Sequence, residues 1–221
     1  MTAFISRSLP TGSEFRRLLT AQGWEVTGQS LVLLSALPFA GLPPADWIFF
    51  SSQNAVRFFF QAVEQEGVDI PQVHWAAIGA ATAGALKKYV STVDFTGSGE
   101  PADTAATFRS VAADKRVVFP GARHSLQSVQ RLLGEAVRGT HLEVYDNTPV
   151  ADPAPRSEAV LVFTSPLNAT AYLSRHPLRP GQHVVAIGQT TAAAIGGWSI
   201  ESVTVAAAPT EAALAQAVLV I

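Results

Sequence analysis

WIFFSSQNAVRFF, Trp47–Phe59, resembles VLVFTSPLNATAYL, Val160–Leu173, far along the same chain. In both, an apolar run ends in a hydroxyl pair, Ser51-Ser52 or Thr164-Ser165, and Asn-Ala follows shortly after. A short continuous apolar run closed by small polar residues and followed by helical spacing reads as a buried strand entering a helix. The likeness extends outward from this pair. AAIGAATAGAL (Ala76–Leu86) matches VAIGQTTAAAI (Val185–Ile195), aligning Gly79 with Gly188 and Thr82 with Thr191. Pro101 opens PADTAATF as Pro209 opens PTEAALAQA, and FISRSLPTGSEFRRLL (Phe4–Leu19) pairs with VVFPGARHSLQSVQRLL (Val117–Leu133).

Leu19 and Leu133, Ser51 and Thr164, Gly79 and Gly188, and Pro101 and Pro209 are 114, 113, 109 and 108 residues apart. The separation drifts slowly and in order, as a duplication with small deletions does, and chance matches between short apolar words keep no such order. The chain is two copies of one unit of roughly 110 residues, within the usual size of a domain. Each copy alternates strands and helices, and its strands are continuously apolar. That pattern predicts parallel sheets covered on both faces. Near the start, Thr11 and Glu14 have the spacing of a capping box, with Gly23 as the stop. Helices are expected to begin near Asn54 and Asn168, and Pro101 and Pro209 to initiate two more.

Composition narrows the chemistry. The 221 residues are 48% apolar and 14% charged, with a net charge of −2, so no positive field draws nucleic acid or an anionic membrane. Cysteine is absent, which removes disulfides, iron–sulfur clusters, thiolate-bound zinc and a thiol nucleophile. The five histidines show no i, i+4 metal pair, and there is no GxGxxG, no phosphate-loop GK[ST] and no GxSxG elbow. Met1–Pro10 lacks a leader-peptide pattern, and Leu31–Ala40, the longest apolar stretch, is too short to span a bilayer and contains Pro38. A soluble cytoplasmic protein is expected.

In open parallel sheets ligands bind beyond the carboxyl ends of the strands, where helix N-termini offer unpaired N–H groups. Here those ends are Arg7-Ser8, Ser51-Ser52, Gly79–Thr82, Gly121–Ser125, Thr164-Ser165 and Gly188–Thr191. They are rich in Ser, Thr, Gly and Asn and nearly empty of Asp, Glu and His. Such loops suit anion binding better than acid–base or metal chemistry. Taken singly, each hydroxyl also reads as a helix N-cap; His124 reads as a solvated loop residue or a ligand contact, and Gly97-Ser98-Gly99 as a turn. Tyr145, in the extended segment LEVYDNTPV, carries a hydroxyl that needs a partner if buried and otherwise serves as packing.

In order along the chain, FISRSLP, FFSSQNAVRFF, AAIGAATAGAL, VVFPGARHS, LEVYDNTPV, VFTSPLNA, VAIGQTTAAAI and AAAPTEAALAQA resemble the uroporphyrinogen-III synthases. The resemblance covers essentially the whole chain, and the ordered set is more specific than any one member. It implies an α/β molecule of two similar Rossmann- or flavodoxin-like lobes with parallel sheets, joined by a two-stranded β hinge, the chain crossing from lobe one to lobe two and back. Carried over, lobe one spans 1–34 plus 150–221, lobe two 38–143, and the hinge strands lie near 31–37 and 144–150. The expected site is a cleft facing both sets of hydroxyl-rich strand ends.

The implied reaction closes hydroxymethylbilane, a linear hydroxymethyl tetrapyrrole with eight carboxylates, inverting its last ring (ring D) and releasing water. The resemblance implies a lyase with no cofactor, no metal, a small-molecule substrate, no nucleic acid or membrane partner, and a monomeric cytoplasmic state. Tyr145 matches the family's tyrosine and is the implied catalytic donor to the departing hydroxyl. Arg7, Ser51, Ser52, Asn54, Gly79, Thr82, Thr164, Ser165, Gly188, Thr190 and Thr191 are the implied substrate-binding residues. Two departures stand out: Ser51-Ser52 replaces a commoner Thr-Ser, and His183 sits where some members carry Lys. The competing reading is a two-lobed module that binds an anion or a tetrapyrrole without catalysis.

Overall fold

The computed structural model describes residues 1–198, 200 and 202–221. The chain divides into two compact units, one of Met1–Leu33 with Thr148–Ile221 and one of Leu34–Asn147. It passes between them inside two strands, β3 (Val32–Ala36) and β8 (Arg138–Pro149).

The first unit holds β1 (Thr2–Ile5), β2 (Glu25–Gly28), β9 (Val160–Phe163), β10 (His183–Ala186) and β11 (Val203–Val205), all parallel, in the order β11-β10-β9-β1-β2. Alternation along the strands sorts their side chains onto two cores. Ala3, Ile5, Val160 and Val162 face α1 (Glu14–Thr20) and α8 (Glu211–Leu219), where Phe15, Leu19, Leu214 and Val218 are buried. Phe4, Leu161 and Phe163 face the opposite way, onto Ala169 and Tyr172 of α6 (Pro166–Leu173) and Ile195 of α7 (Gln189–Ile195).

In the second unit β4 (Trp47–Phe50), β5 (His74–Ala77), β6 (Phe95–Thr96) and β7 (Arg116–Ala122) join β8 and β3 in the order β3-β8-β7-β4-β5-β6. From β8 to β6 the pairing is parallel. Ile48, Phe50 and Val118 pack under α2 (Gln53–Glu66) and α3 (Ala80–Leu86). Trp47, Phe49, Val117 and Phe119 pack under α4 (Pro101–Ala112) and α5 (Ser128–Leu133).

Matching β7 with β1, β4 with β9, β5 with β10 and β6 with β11 gives both units the flavodoxin-like order 2-1-3-4-5. The second unit is the first with its chain order rotated, so β7 and β8 come last instead of first. This arrangement keeps Phe4–Leu19 and Val117–Leu133 in matching places in their sheets. The two-sheet, mainly parallel α/β fold expected from the repeat is therefore the fold observed.

Local differences concern helix ends. The N-cap of α1 is Ser13, whose Oγ accepts the Arg16 N–H at 3.2 Å, so the Thr11–Glu14 capping box does not form. The missing half of the cap comes from α8: Glu211 Oε2 accepts the Ser13 hydroxyl at 2.8 Å and the Phe15 N–H at 3.0 Å. Beyond α1 the chain turns through Gly23 at φ +76°, the expected stop. Helices α2 and α6 begin at Gln53 and Pro166, with Ser52 and Ser165 as their caps. Pro101 is the first residue of α4, but Pro209 lies outside α8, because the Thr210 side chain caps the Ala213 N–H and sets the start at Glu211.

Burial pushes the Glu211 carboxyl up, but the Phe15 N–H, the Ser13 hydroxyl and the Arg7 charge outweigh it and hold it below its ordinary value of 4.5. A depressed carboxyl contributes stability above its unfolded pKa and loses it as pH falls through the folded value. Glu211→Gln is therefore expected to cost about 1–2 kcal/mol at pH 7. The gap from wild type should close in urea unfolding at pH 3, whereas an equal gap at both pH values contradicts the assignment.

Candidate active site

In the 2-1-3-4-5 order the chain leaves the sheet in opposite directions at one point, and the crevice beyond the strand ends there is the usual ligand position. In the first unit that point lies between β1 and β9, and in the second between β7 and β4.

The two crevices differ, and the strand register says why. β1 and β9 stay zipped past their ends: Ser6 N–H donates to Val162 O at 2.8 Å, Thr164 N–H to Ser6 Oγ at 2.9 Å, and the Thr164 hydroxyl to Ser6 O at 3.0 Å. β4 pairs with β7 only at Trp47–Val117 and Ile48–Val118. Two residues later β7 carries Pro120, which has no N–H to donate to a ladder. β7 continues alongside β8 as far as Ala122, paired with Tyr145. The strands separate on the β4 side, and a pocket of about 160 Å³ opens there.

Ser51, Ser52 and Tyr145 line this pocket together, with Phe119–Ala122, Ser125, Gln127, Gln130 and His141. The structure thus unites three of the residues singled out in the sequence. Tyr145 is aimed by a bulge: Gly121 pairs with Glu143 but Ala122 with Tyr145, leaving the fully buried Val144 as the extra residue. Bulges of this kind redirect a side chain beside functional sites. The ring of Tyr145 stacks on Phe58, with centroids 5.1 Å apart and planes 18° apart. Arg123 clamps the strand on either side of it, bonding Glu143 at 3.0 Å and Asp146 at 3.1 Å, while its own N–H donates to Tyr145 O at 2.9 Å. The Glu143 hydrogen bond raises the Arg123 pKa further, against a smaller loss to burial.

Gln127, Gln130 and His141 escaped the sequence reading. Gln127 stands at φ +52°, ψ +36°, a left-handed conformation that costs a non-glycine residue about 1–2 kcal/mol. Gln130 Oε1 is closed off from solvent without a hydrogen-bond partner. His141 Nε2 lies 3.1 Å from Ala122 O. Left-handed Gln127 has no composition signature, and His141 faces the pocket only through the β7–β8 register. Of the strand end Gly121–Ser125, Ser125 lines the pocket, while His124 is exposed.

The remaining candidates form separate groups. Ser165 Oγ caps α6 and receives the Asn168 side-chain amide at 2.8 Å, and Asn168 Oδ1 in turn accepts the Leu31 N–H at 2.8 Å. Arg7 is half-exposed, 4.0 Å from Glu211. Asn54 is exposed on the first turn of α2. Thr82 and Thr191 occupy the same place in α3 and α7, third in a helix capped by Gly79 or Gly188, and both are buried. A glycine cap brings no side chain to bond the first-turn N–H groups, so these helix starts keep donors for a ligand. Thr190 is exposed beside Thr191. The two glycines differ: a Cβ on Gly79 would stand 2.8 Å from Gly99 Cα, whereas Gly188 has open space and borders a hollow of about 440 Å³ with Gln189 and Val205–Pro209. The Gly97-Ser98-Gly99 turn is thus a packing partner of the Gly79 loop.

Two larger hollows lie at the amino ends of strands. One of about 700 Å³ is lined by Arg175, His176, Arg179, His183 and Trp198, and one of about 600 Å³ by Asp46, His74, Asp94 and Lys115. His183 opens β10 in the first of them, away from the strand carboxyl ends. In the second, Asp46 is held by Arg116 at 2.7 Å, which keeps its carboxyl far below the ordinary range. Size alone favours these hollows, but neither meets a topological switch point or a helix start, and the smaller pocket beside Tyr145 is the better candidate. Among the described residues no group of three His, Asp or Glu could hold a metal ion, and no helix is long and apolar enough to cross a membrane.

Duplicated flavodoxin-like units with hydroxyl- and amide-lined strand ends define a class: two-unit, mainly parallel α/β proteins. Comparison with known proteins is specific. The family model described as uroporphyrinogen-III synthase HemD matches residues 13–216. A solved uroporphyrinogen-III synthetase from Helicobacter pylori 26695 shares the fold, with a TM-score of 0.73 and 20% identity over 99% of this chain and 98% of that one. A mutant uroporphyrinogen III synthase from the extreme thermophile Thermus thermophilus superposes with a TM-score of 0.60 and 16% identity over the full length of both chains. None of the curated proteins matches the sequence. The chain belongs to the uroporphyrinogen-III synthase family.

Proposed function

We infer that this chain closes hydroxymethylbilane to uroporphyrinogen III in tetrapyrrole biosynthesis, acting as a lyase that releases water and inverts ring D. The observation that carries the reading is Tyr145, turned by a β-bulge into a pocket at the switch point of the second unit, in a chain of this family.

The reaction asks for departure of a hydroxyl group from the hydroxymethyl carbon, attack by the substituted carbon of ring D, and rearrangement of the spiro intermediate to the closed ring. Tyr145 is the proposed donor to the departing hydroxyl. The eight carboxylates of the substrate need donors without strong acids or bases. Arg7, Ser51, Ser52, Asn54, Gly79, Thr82, Thr164, Ser165, Gly188, Thr190 and Thr191 are proposed to supply them through hydroxyls, backbone N–H groups and one guanidinium. Open N–H groups at the α3 and α7 starts support this, since charge-assisted hydrogen bonds to carboxylates are the strong ones. Holding a flexible chain so that ring D meets the reactive carbon is positioning catalysis. The protein is proposed to act as a cytoplasmic monomer without a cofactor, with hinge strands near 31–37 and 144–150 between a lobe of 1–34 plus 150–221 and a lobe of 38–143.

Freshly prepared hydroxymethylbilane incubated with the purified protein should yield the type III isomer. A product of type I alone, which forms spontaneously, contradicts the reading and favours a binding module without catalysis.

A further inference from the structure

The pocket beside Tyr145 holds about 160 Å³, close to the roughly 150 Å³ cavity that admits one benzene molecule. It accommodates one five-membered ring, and a tetrapyrrole does not fit inside. Two polar side chains on its wall, His141 and Gln130, each carry an atom that can accept a hydrogen bond. His141 Nε2 is 3.1 Å from Ala122 O, and a carbonyl oxygen only accepts, so Nε2 carries the hydrogen, and the tautomer with its hydrogen on Nε2 alone leaves Nδ1 as an acceptor. Gln130 Oε1 is shut off from water with no donor in reach. The Gln130 side chain lines the pocket, and the last torsion of a glutamine is broad, so its amide is free to turn an acceptor inward when a donor arrives. A native fold keeps a buried orphan acceptor at a cost in stability, and function is one reason for its retention.

Besides its one hydroxyl, the substrate class offers carboxylates, which only accept, and pyrrole N–H groups, which only donate. Acceptors on Gln130 and His141 disfavour a carboxylate beside them and suit a pyrrole N–H, while Ser51 and Ser52 on the same wall remain donors for the ring's carboxylate arms. We propose that this pocket takes the pyrrole ring carrying the hydroxymethyl group, with Gln130 and His141 accepting its N–H and Tyr145 at its hydroxyl. The assignment rests on the synthase reading above. It gives the N–H and the hydroxyl of the terminal ring separate partners.

The test is a nuclear magnetic resonance titration of the full-length protein with a monopyrrole bearing acetate and propionate arms and with the corresponding furan, which lacks the N–H. The pyrrole is expected to bind at least about fivefold tighter and to shift the Gln130 side-chain amide and the Gly121 and Tyr145 backbone signals. Gln130→Met should cut that preference below about twofold while melting no lower than wild type, because it removes an unsatisfied buried acceptor. Gln130→Glu, which keeps an acceptor, should retain the preference. Equal binding of pyrrole and furan to wild type, shifts confined to other regions, or a preference that survives Gln130→Met overturns the proposal. With hydroxymethylbilane, Gln130→Met should raise KM about tenfold and change kcat less than threefold. If wild type forms only the type I isomer the synthase reading fails, whereas the monopyrrole–furan comparison still decides the pocket.

Discussion

Tyr145→Phe is expected to lower kcat about a hundredfold, leaving KM within about twofold and the melting temperature within about 2 °C. Removing one donor aimed at a charge that develops in the transition state costs about 10²–10³ in kcat. The leaving hydroxide is such a charge. Tyr145 has one group to contribute to it, since its ring is occupied by the stack on Phe58, with centroids 5.1 Å apart. Phenylalanine preserves that stack and the pairing with Ala122. Among the described residues the phenol is bonded to no side chain, so its loss leaves no orphaned partner. Stopped-flow or quenched turnover of hydroxymethylbilane measures the effect, with thermal melting as the control for folding. Wild-type kcat in the variant removes Tyr145 from the mechanism, and an equal fall in kcat and stability makes it a packing residue.

Phe108→Ala is expected to carry the largest stability effect. Phe108 is fully buried and holds three rings around it: Trp47 at 5.2 Å in an edge contact, and Phe49 and Phe95 each at 4.9 Å. It thereby fastens α4 to β4 and β6. Truncating a packed phenylalanine to alanine costs about 3–5 kcal/mol, from lost transfer energy and the cavity left behind. For a unit near 100 residues, that corresponds to a fall of more than about 10 °C in melting temperature. Calorimetry should show the loss in the transition of the second unit. A loss below about 1 kcal/mol contradicts the packing described.

What the sequence disclosed and what it hid follow from the range of the interactions involved. WIFF and VLVF are buried on both faces, so each is continuously apolar and legible as a strand, and the repeat of the two words exposed the duplication. The rotated chain order of the second unit was not legible in the repeat, where Phe4–Leu19 and Val117–Leu133 each open their copy; it arises because the chain changes units inside β3 and β8. The cap of α1 was not: half of it comes from Glu211, on a helix at the other end of the chain, and no local motif can report that. The pocket was half legible. Ser51, Ser52 and Tyr145 stood out by residue type and order, but Gln130 and His141 enter it through a strand register and a bulge at Val144 that leave no local pattern. Pro120 was visible as a residue, yet its effect, ending the β4 ladder, depends on which strand lies beside it.

The most direct test uses protein dialysed exhaustively against a metal chelator, given fresh hydroxymethylbilane, with the isomers of the product separated after oxidation to porphyrins. The account predicts that type III dominates and that its share rises with protein concentration as the enzymic reaction outruns spontaneous closure. A product that remains type I at every protein concentration contradicts it.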